Sequence, residues 1–255
     1  MLLEQKLIQY NFNNAANTYG FNKNIQKITA QRIDEYLTNQ YYDENLKTLD
    51  LGSGPGTFPE KAENIILYDI SLQMLHARTN LQQKSVNGDA TKLPFANDSF
   101  DLVISNLMLQ WISDKTLVLQ EIKRVLKDDG VFICTTLVEN SLWQLENAWK
   151  HLDNHQHIID FTSQKDYLNL MDNVRLEIIS VENWQHTMYF DEIYQLLKHF
   201  KLTGTSMPKS LRSKGLGGCG YLTKLGDIYP RHNHQLPLSY NNLLLVVKKR
   251  SVDNG

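Results

Sequence analysis

Apolar positions along this chain follow two alternating rhythms. Ile25, Ile28, Ile33, Tyr36 and Leu37 recur near one face of a 3.6-residue repeat, which predicts an amphipathic helix from Asn22 to Asn39. Short runs rich in Leu, Ile and Val then predict strands at Lys47 to Leu51, Ile65 to Tyr68, Lys84 to Asn87, Asp101 to Ser105 and Val131 to Thr135. Between the last two, Leu119, Ile122, Val125 and Leu126 mark the inner face of a helix, with Lys127-Asp128-Asp129-Gly130 as its C-terminal stop. Strands alternating with helices in this way predict an α/β fold built on a parallel, doubly wound sheet.

After Thr136 the rhythm changes. Helices are expected at Ser141 to Asp153 and Gln164 to Met171, and strands at Val174 to Ile179 and Leu243 to Val247. These two strands would form the final antiparallel pair at the sheet edge. The intervening segment, residues 182–242, holds a helix near Glu192 to Phe200 and then a basic, glycine-rich stretch. It is too long for a hairpin connection, and insertions of that length are more often functional than decorative. We read it as a substrate lid inserted before the last strand. A chain of 255 residues is near the upper size of one hydrophobic core, so residues 1–255 are expected to form a single domain.

The candidate chemistry starts at Leu49-Asp50-Leu51-Gly52-Ser53-Gly54-Pro55-Gly56-Thr57, a strand running into closely spaced glycines that let backbone approach a ligand. The spacing is G-x-G-x-G with a proline inside the turn. It lacks both the dinucleotide fingerprint and the Gly-Lys-Ser/Thr ending of a phosphate loop. A nucleoside cofactor without a pyrophosphate fits, and S-adenosylmethionine is the obvious candidate; a tight turn in some other α/β protein is the plain alternative. Asp69, ending the next strand, is placed to accept both ribose hydroxyls of an adenosine lying across the strand tips. Asp89, in Gly88-Asp89-Ala90 after a further short strand, suits the adenine amino group, although an Asp after a strand is equally a turn former or helix cap. Only twelve residues separate Gly56 from Asp69, so the first crossover helix is expected to be very short or irregular, with Pro59 near its start.

Composition narrows the function classes. With 42% hydrophobic and 21% charged residues the chain reads as globular, and a formal net charge of -2 argues against a general nucleic-acid binder. No run has signal-peptide or membrane-spanning character, and the two cysteines have no disulfide or metal-ligand spacing, so a cytoplasmic protein without a bound metal is expected. The eight histidines form no triad or metal pattern; His155 and His157 read as loop residues and His186 as a strand residue.

Taken in order, the glycine turn, Asp69, Gly88-Asp89-Ala90, Leu93-Pro94-Phe95 and Ser99-Phe100-Asp101-Leu102-Val103-Ile104-Ser105-Asn106 resemble the class I S-adenosylmethionine-dependent methyltransferases. More of the chain resembles one family among them, the malonyl-acyl-carrier-protein O-methyltransferases of biotin synthesis (BioC). The resemblance runs through Phe12-Asn13-Asn14-Ala15-Ala16 with Tyr19, Leu109-Gln110-Trp111, Cys134-Thr135-Thr136-Leu137-Val138 with Ser141-Leu142, Lys201-Leu202-Thr203-Gly204-Thr205 and Leu238-Ser239-Tyr240. It implies a Rossmann-like seven-stranded sheet with an antiparallel last strand, and residues 1–40 as a helical segment over the active site. It implies cofactor contacts from Asp50, Gly52, Ser53, Gly54 and Gly56 in the first turn, and from Asp69, Ile70 and Met74 at the second. Asp89 and Ala90 follow at the third strand, and Asn106, Leu107 and Gln110 at the fourth.

The implied reaction needs no general base, because a carboxylate is ionised at neutral pH and supplies its own nucleophilic oxygen. By the same resemblance Tyr19 closes over the cofactor or substrate; an aromatic staple packing the N-terminal segment serves the residue as well. Lys201 would attract the malonyl carboxylate, or else is a solvated lysine at a helix end. Lys209, Arg212 and Lys214 form a basic cluster suited to an acidic carrier protein. Two other functions stay open: a methyltransferase for a small or quinone-like acceptor, and a cofactor-binding assembly factor without catalysis.

Overall fold

The computed structural model describes residues 3–19, 24–40, 45–56, 64–78, 82–153, 155–203, 205 and 219–250. Two helices, α1 (Leu3–Tyr19) and α2 (Asn24–Gln40), precede β1 (Thr48–Leu51), β2 (Ile65–Asp69), α3 (Leu72–His76), β3 (Lys84–Asn87) and β4 (Phe100–Asn106). A 3-10 turn at Leu109–Trp111 leads into α4 (Lys115–Val125) and β5 (Leu126–Leu137). The remainder is α5 (Trp143–Lys150), α6 (Gln164–Asn173), β6 (Leu176–Phe190), α7 (Ile193–Leu202), α8 (Cys219–Ile228) and β7 (Leu236–Lys249).

The seven strands form one sheet in the order β3-β2-β1-β4-β5-β7-β6. β1 to β5 are mutually parallel, and β7 runs antiparallel to both β5 and β6. The Rossmann-like expectation holds. The order reverses at β1, so the carboxyl ends of β1 and β4 open the crevice in which α/β sheets bind ligands. β1 is buried at all four positions because both faces are covered: Leu49 and Leu51 pack with Phe100, Val103, Phe132 and Tyr167 on one side. On the other, Ile65, Leu67, Ile104 and Ile133 pack with Ile33 of α2.

Three expected boundaries move. The stop after α4 falls at Val125, and Asp128 and Asp129 lie inside β5; Asp129, not Gly130, takes the left-handed conformation (φ 64). Gly130 is needed for space, since a Cβ there would stand 2.8 Å from the Lys127 carbonyl oxygen. The edge strands are far longer than their apolar centres: β6 and β7 pair from Leu176↔Lys249 to Phe190↔Leu236. Residues 182–190 and 236–242 of the expected lid therefore belong to the sheet, and the inserted segment is 191–235. Alternation signals failed there because β6 is an exposed edge strand whose open positions mix apolar Ile179, Val181 and Tyr189 with polar Asn183 and Gln185. The short crossover around Pro59 and the cluster Lys209, Arg212 and Lys214 lie outside the described residues.

Candidate active site

The parallel register Leu51↔Tyr68 brings the ends of β1 and β2 together. Gly52 N–H and Ser53 N–H both donate to the Tyr68 carbonyl, at 2.8 and 3.2 Å, and Gly56 N–H closes the turn on the Ser53 carbonyl at 3.0 Å. Gly52, Gly54 and Gly56 all have positive φ (73, 56 and 83), conformations a Cβ penalises. Two of them differ in an informative way. A Cβ on Gly52 would fall 2.4 Å from Met108 Cγ, whereas one on Gly54 would meet nothing closer than Tyr19 Cε1 at 3.9 Å. The protein's own packing thus requires the first glycine, and beside the second there is open space.

Asp69 ties the two strand ends. Its Oδ2 accepts the Gly54 N–H at 2.9 Å and its Oδ1 the Ser71 N–H at 2.7 Å. Burial raises its pKa to about 6, the two N–H donors pulling the other way. Each carboxylate oxygen accepts two hydrogen bonds, so capacity remains for a vicinal diol. Asp50 is more extreme: it is 1% exposed, and neither oxygen has a hydrogen-bond partner among the described residues. Burial, then the charge of Asp69, pushes its carboxyl well above the usual range. Gln26 Oε1 is likewise buried without a donor. Unmet acceptors on Asp50, two residues before Gly52, and on Gln26 at the cavity wall are what a ligand rich in hydroxyl and ammonium donors satisfies.

The other sequence-selected residues separate into two groups. Asp89 Oδ1 accepts the N–H and hydroxyl of Thr91, both at 2.9 Å, which fixes the β3 turn beside half-buried Ala90. Leu107 is held left-handed (φ 54) and lines the cavity described below. Asn106 and Gln110 are engaged inside the protein: Asn106 bonds the Gln26 carbonyl at 2.9 Å and the Thr135 hydroxyl at 2.6 Å, and Gln110 the Leu107 carbonyl at 2.7 Å and the Thr136 hydroxyl at 3.0 Å. Their amides brace the strand end, and Gln110 also lines the cavity described below. Met74 is buried with Ala15 and Ala16, fastening α3 to α1, and half-buried Ile70 gives its carbonyl to Gln9 at 2.7 Å.

A cavity of about 640 Å³ adjoins the turn, lined by α1, α7 and the α5 region, with Tyr19 between it and Gly54. Burial, then the Asp69 charge, raises the Tyr19 hydroxyl pKa, so it is a neutral hydrogen-bonding group. Most of the wall is apolar, including Phe12, Trp111, Leu145, Trp149 and Phe161. Among the described lining residues there is no Asp or Glu, whereas Lys198 and Lys201 of α7 are both present. Lys201 is exposed along its length, and Lys198 Nζ lies 5.9 Å from the Tyr194 ring centre.

Sequence reasoning missed the contacts of four polar residues here. His157 stacks on Trp149 (ring centres 4.0 Å apart) and bonds Asp153 at 2.8 Å, while Tyr221 of α8 donates to the same carboxylate. His157 is thus a loop residue, as expected, and a half-buried tether between the α5 end and α8. His199 and Tyr240, from α7 and β7, meet across the cavity wall at 3.2 Å. The signal for His199 was available: Leu196, His199 and Thr203 follow a helical repeat on the buried face of α7.

Comparison with known proteins agrees with this geometry. Residues 49–134 match the methyltransferase domain family. Over 97% of its length the chain is 29% identical to the biotin biosynthesis bifunctional protein BioHC of Cellvibrio japonicus, and it spans 51% of that protein. It is 28% identical to the malonyl-[acyl-carrier protein] O-methyltransferase of Erwinia billingiae, over 94% of this chain and 95% of that one. Among solved structures, a methyltransferase-like protein from Bacillus halodurans superposes with a TM-score of 0.61 at 16% identity, covering 87% of this chain and all of the other.

Proposed function

We propose that this chain, a class I S-adenosylmethionine-dependent methyltransferase, esterifies the free carboxylate of a malonyl thioester carried on acyl carrier protein, an early step of biotin synthesis. One observation carries the acceptor assignment: the cavity beside the glycine turn has two lysines and no carboxylate among its described lining residues. An anionic acceptor is attracted there, and a carboxylate needs no base to become a nucleophile. The relatives whose names specify malonyl-carrier protein extend over nearly the whole of this chain.

The residues present suit the cofactor. The Gly52–Gly56 turn and Asp69 would hold its ribose side, Asp89 its base, and the unmet acceptors of Asp50 and Gln26 its donor groups. When bound, it supplies a methyl group already activated by a sulfonium. The chain's own task is then positional: Tyr19 and the α1 face shut the cleft against water, and Lys201 draws the acceptor carboxylate into it. Transfer is an in-line displacement by that carboxylate, so no residue need take up a proton. The inserted segment 191–235 serves as the lid, and the positive charge of Lys209, Arg212 and Lys214 suits an acidic carrier. The aromatic lining from Phe12, Trp111 and Phe161 also favours a second reading, a flat apolar acceptor of quinone type. Acceptor competition separates the two: turnover on a malonyl thioester that vanishes with the acetyl thioester supports the first, and turnover restricted to the aromatic acceptor supports the second.

A further inference from the structure

His199 and Tyr240 are both buried, at 7% and 3% exposure, and both line the cavity. Tyr240 Oη lies 3.2 Å from His199 Nε2, and His199 Nδ1 has no partner among the described residues. The ring is fixed in place: it lies near the rings of Phe190 and Phe200, at 5.8 and 5.6 Å between centres. Below it, the Thr203 hydroxyl donates to the His199 carbonyl at 2.9 Å, and Thr18 of α1 donates to the Leu202 carbonyl at 3.0 Å. Burial keeps the imidazole neutral, holding its pKa down to about 4.

The tautomer follows from what meets Nδ1. If the Tyr240 hydroxyl donates to Nε2, the imidazole proton sits on Nδ1; if the ring donates from Nε2, Nδ1 is a bare acceptor and the hydroxyl proton is unused. Each arrangement leaves one donor and one acceptor of the pair unmatched. A carbonyl oxygen at Nδ1 selects the first, which gives the cavity wall a neutral N–H donor on the same helix as the two lysines.

We infer that His199 Nδ1–H, with Nε2 accepting from the Tyr240 hydroxyl, hydrogen-bonds the thioester carbonyl of the acceptor and so distinguishes an acyl thioester from other carboxylates. The inference rests on the malonyl reading above. A neutral donor suits the carbonyl, whereas the attacking carboxylate oxygen must keep its lone pair free and is matched in charge by Lys201.

The test uses malonyl-carrier protein and a carboxyethyl thioether analogue in which a methylene replaces the carbonyl. Wild type should prefer the thioester, and His199→Leu should raise its KM about tenfold, the loss of one hydrogen bond, with cofactor affinity unchanged. The preference over the thioether should disappear in that variant. His199→Asn, whose amide nitrogen occupies the position of Nδ1, should restore it. His199→Gln, which reaches only the Nε2 position, should not. If Gln restores the preference and Asn does not, or if His199→Leu keeps it, the inference is wrong and the residue serves only to pack against Tyr240. A wild-type protein that methylates neither compound would overturn the malonyl reading itself, and this inference with it.

Discussion

Gly54→Ala and Gly52→Ala probe the same turn but should fail for opposite reasons. Alanine in the left-handed region costs about 1–2 kcal/mol per residue. For Gly54, at φ 56 with its nearest prospective neighbour 3.9 Å away, that is the whole penalty to folding. In a chain of this size it corresponds to a fall in Tm of about 2–8 °C. Gly52→Ala adds a collision with Met108 at 2.4 Å, overpacking worth about a further 1–3 kcal/mol, so its Tm should fall about twice as far. Binding should show its own pattern. The Gly54 methyl projects into space the protein leaves open and the cofactor is expected to fill, so Gly54→Ala should fold and yet lose at least about tenfold in affinity, or about 1.4 kcal/mol. Scanning calorimetry and titration of S-adenosylhomocysteine into both variants measure the two effects separately. A folded Gly54→Ala protein that binds like wild type would refute the idea that this turn cradles the ligand.

Asp69 must be ionised to accept two hydroxyls, and its pKa is raised to about 6, so cofactor affinity should be flat above pH 7 and fall below 6, by up to about tenfold per unit. In the ligand-free protein the sign reverses. The folded value exceeds the unfolded 3.8, so Asp69 contributes stability below pH 4 that is lost as pH rises through 6, and the stability gap to Asp69→Asn should shrink across that window. Lys201→Met should raise KM for the malonyl acceptor with little change in cofactor affinity, as steady-state kinetics paired with calorimetry would show; equal losses in both would mean that the lysine supports the fold. Reversing Lys209 and Arg212 to Glu should slow turnover of carrier-bound substrate more than of the coenzyme A thioester, and the gap should close with added salt. Equal losses on both substrates would remove the docking role.

What could be read from the sequence follows the strength of the local signal. The parallel core was legible because β1, β2, β4 and β5 carry short apolar runs, and the place of Asp69 at the end of β2 was legible from the run Ile65 to Tyr68 before it. The length of β6 was not: an exposed edge strand of polar and apolar residues owes its conformation to the fourteen-residue pairing with β7, which no local pattern encodes. Asn106 and Gln110 were rightly placed at the end of β4, but only tertiary contacts reveal that Gln26, Thr135 and Thr136 already occupy their amides. His199 was overlooked for the opposite reason, since a histidine on the apolar face of a helix gains chemical meaning only when β7 brings Tyr240 to it.

The assignment is tested most directly by mass spectrometry of malonyl-acyl carrier protein after incubation with the purified chain and S-adenosylmethionine. The account predicts a mass gain of one methylene on the acyl group, reversed by mild ester hydrolysis, insensitive to chelators, and missing when acetyl-carrier protein is supplied. An unmodified malonyl group alongside a methylated apolar acceptor, or the same gain on acetyl-carrier protein, would contradict it.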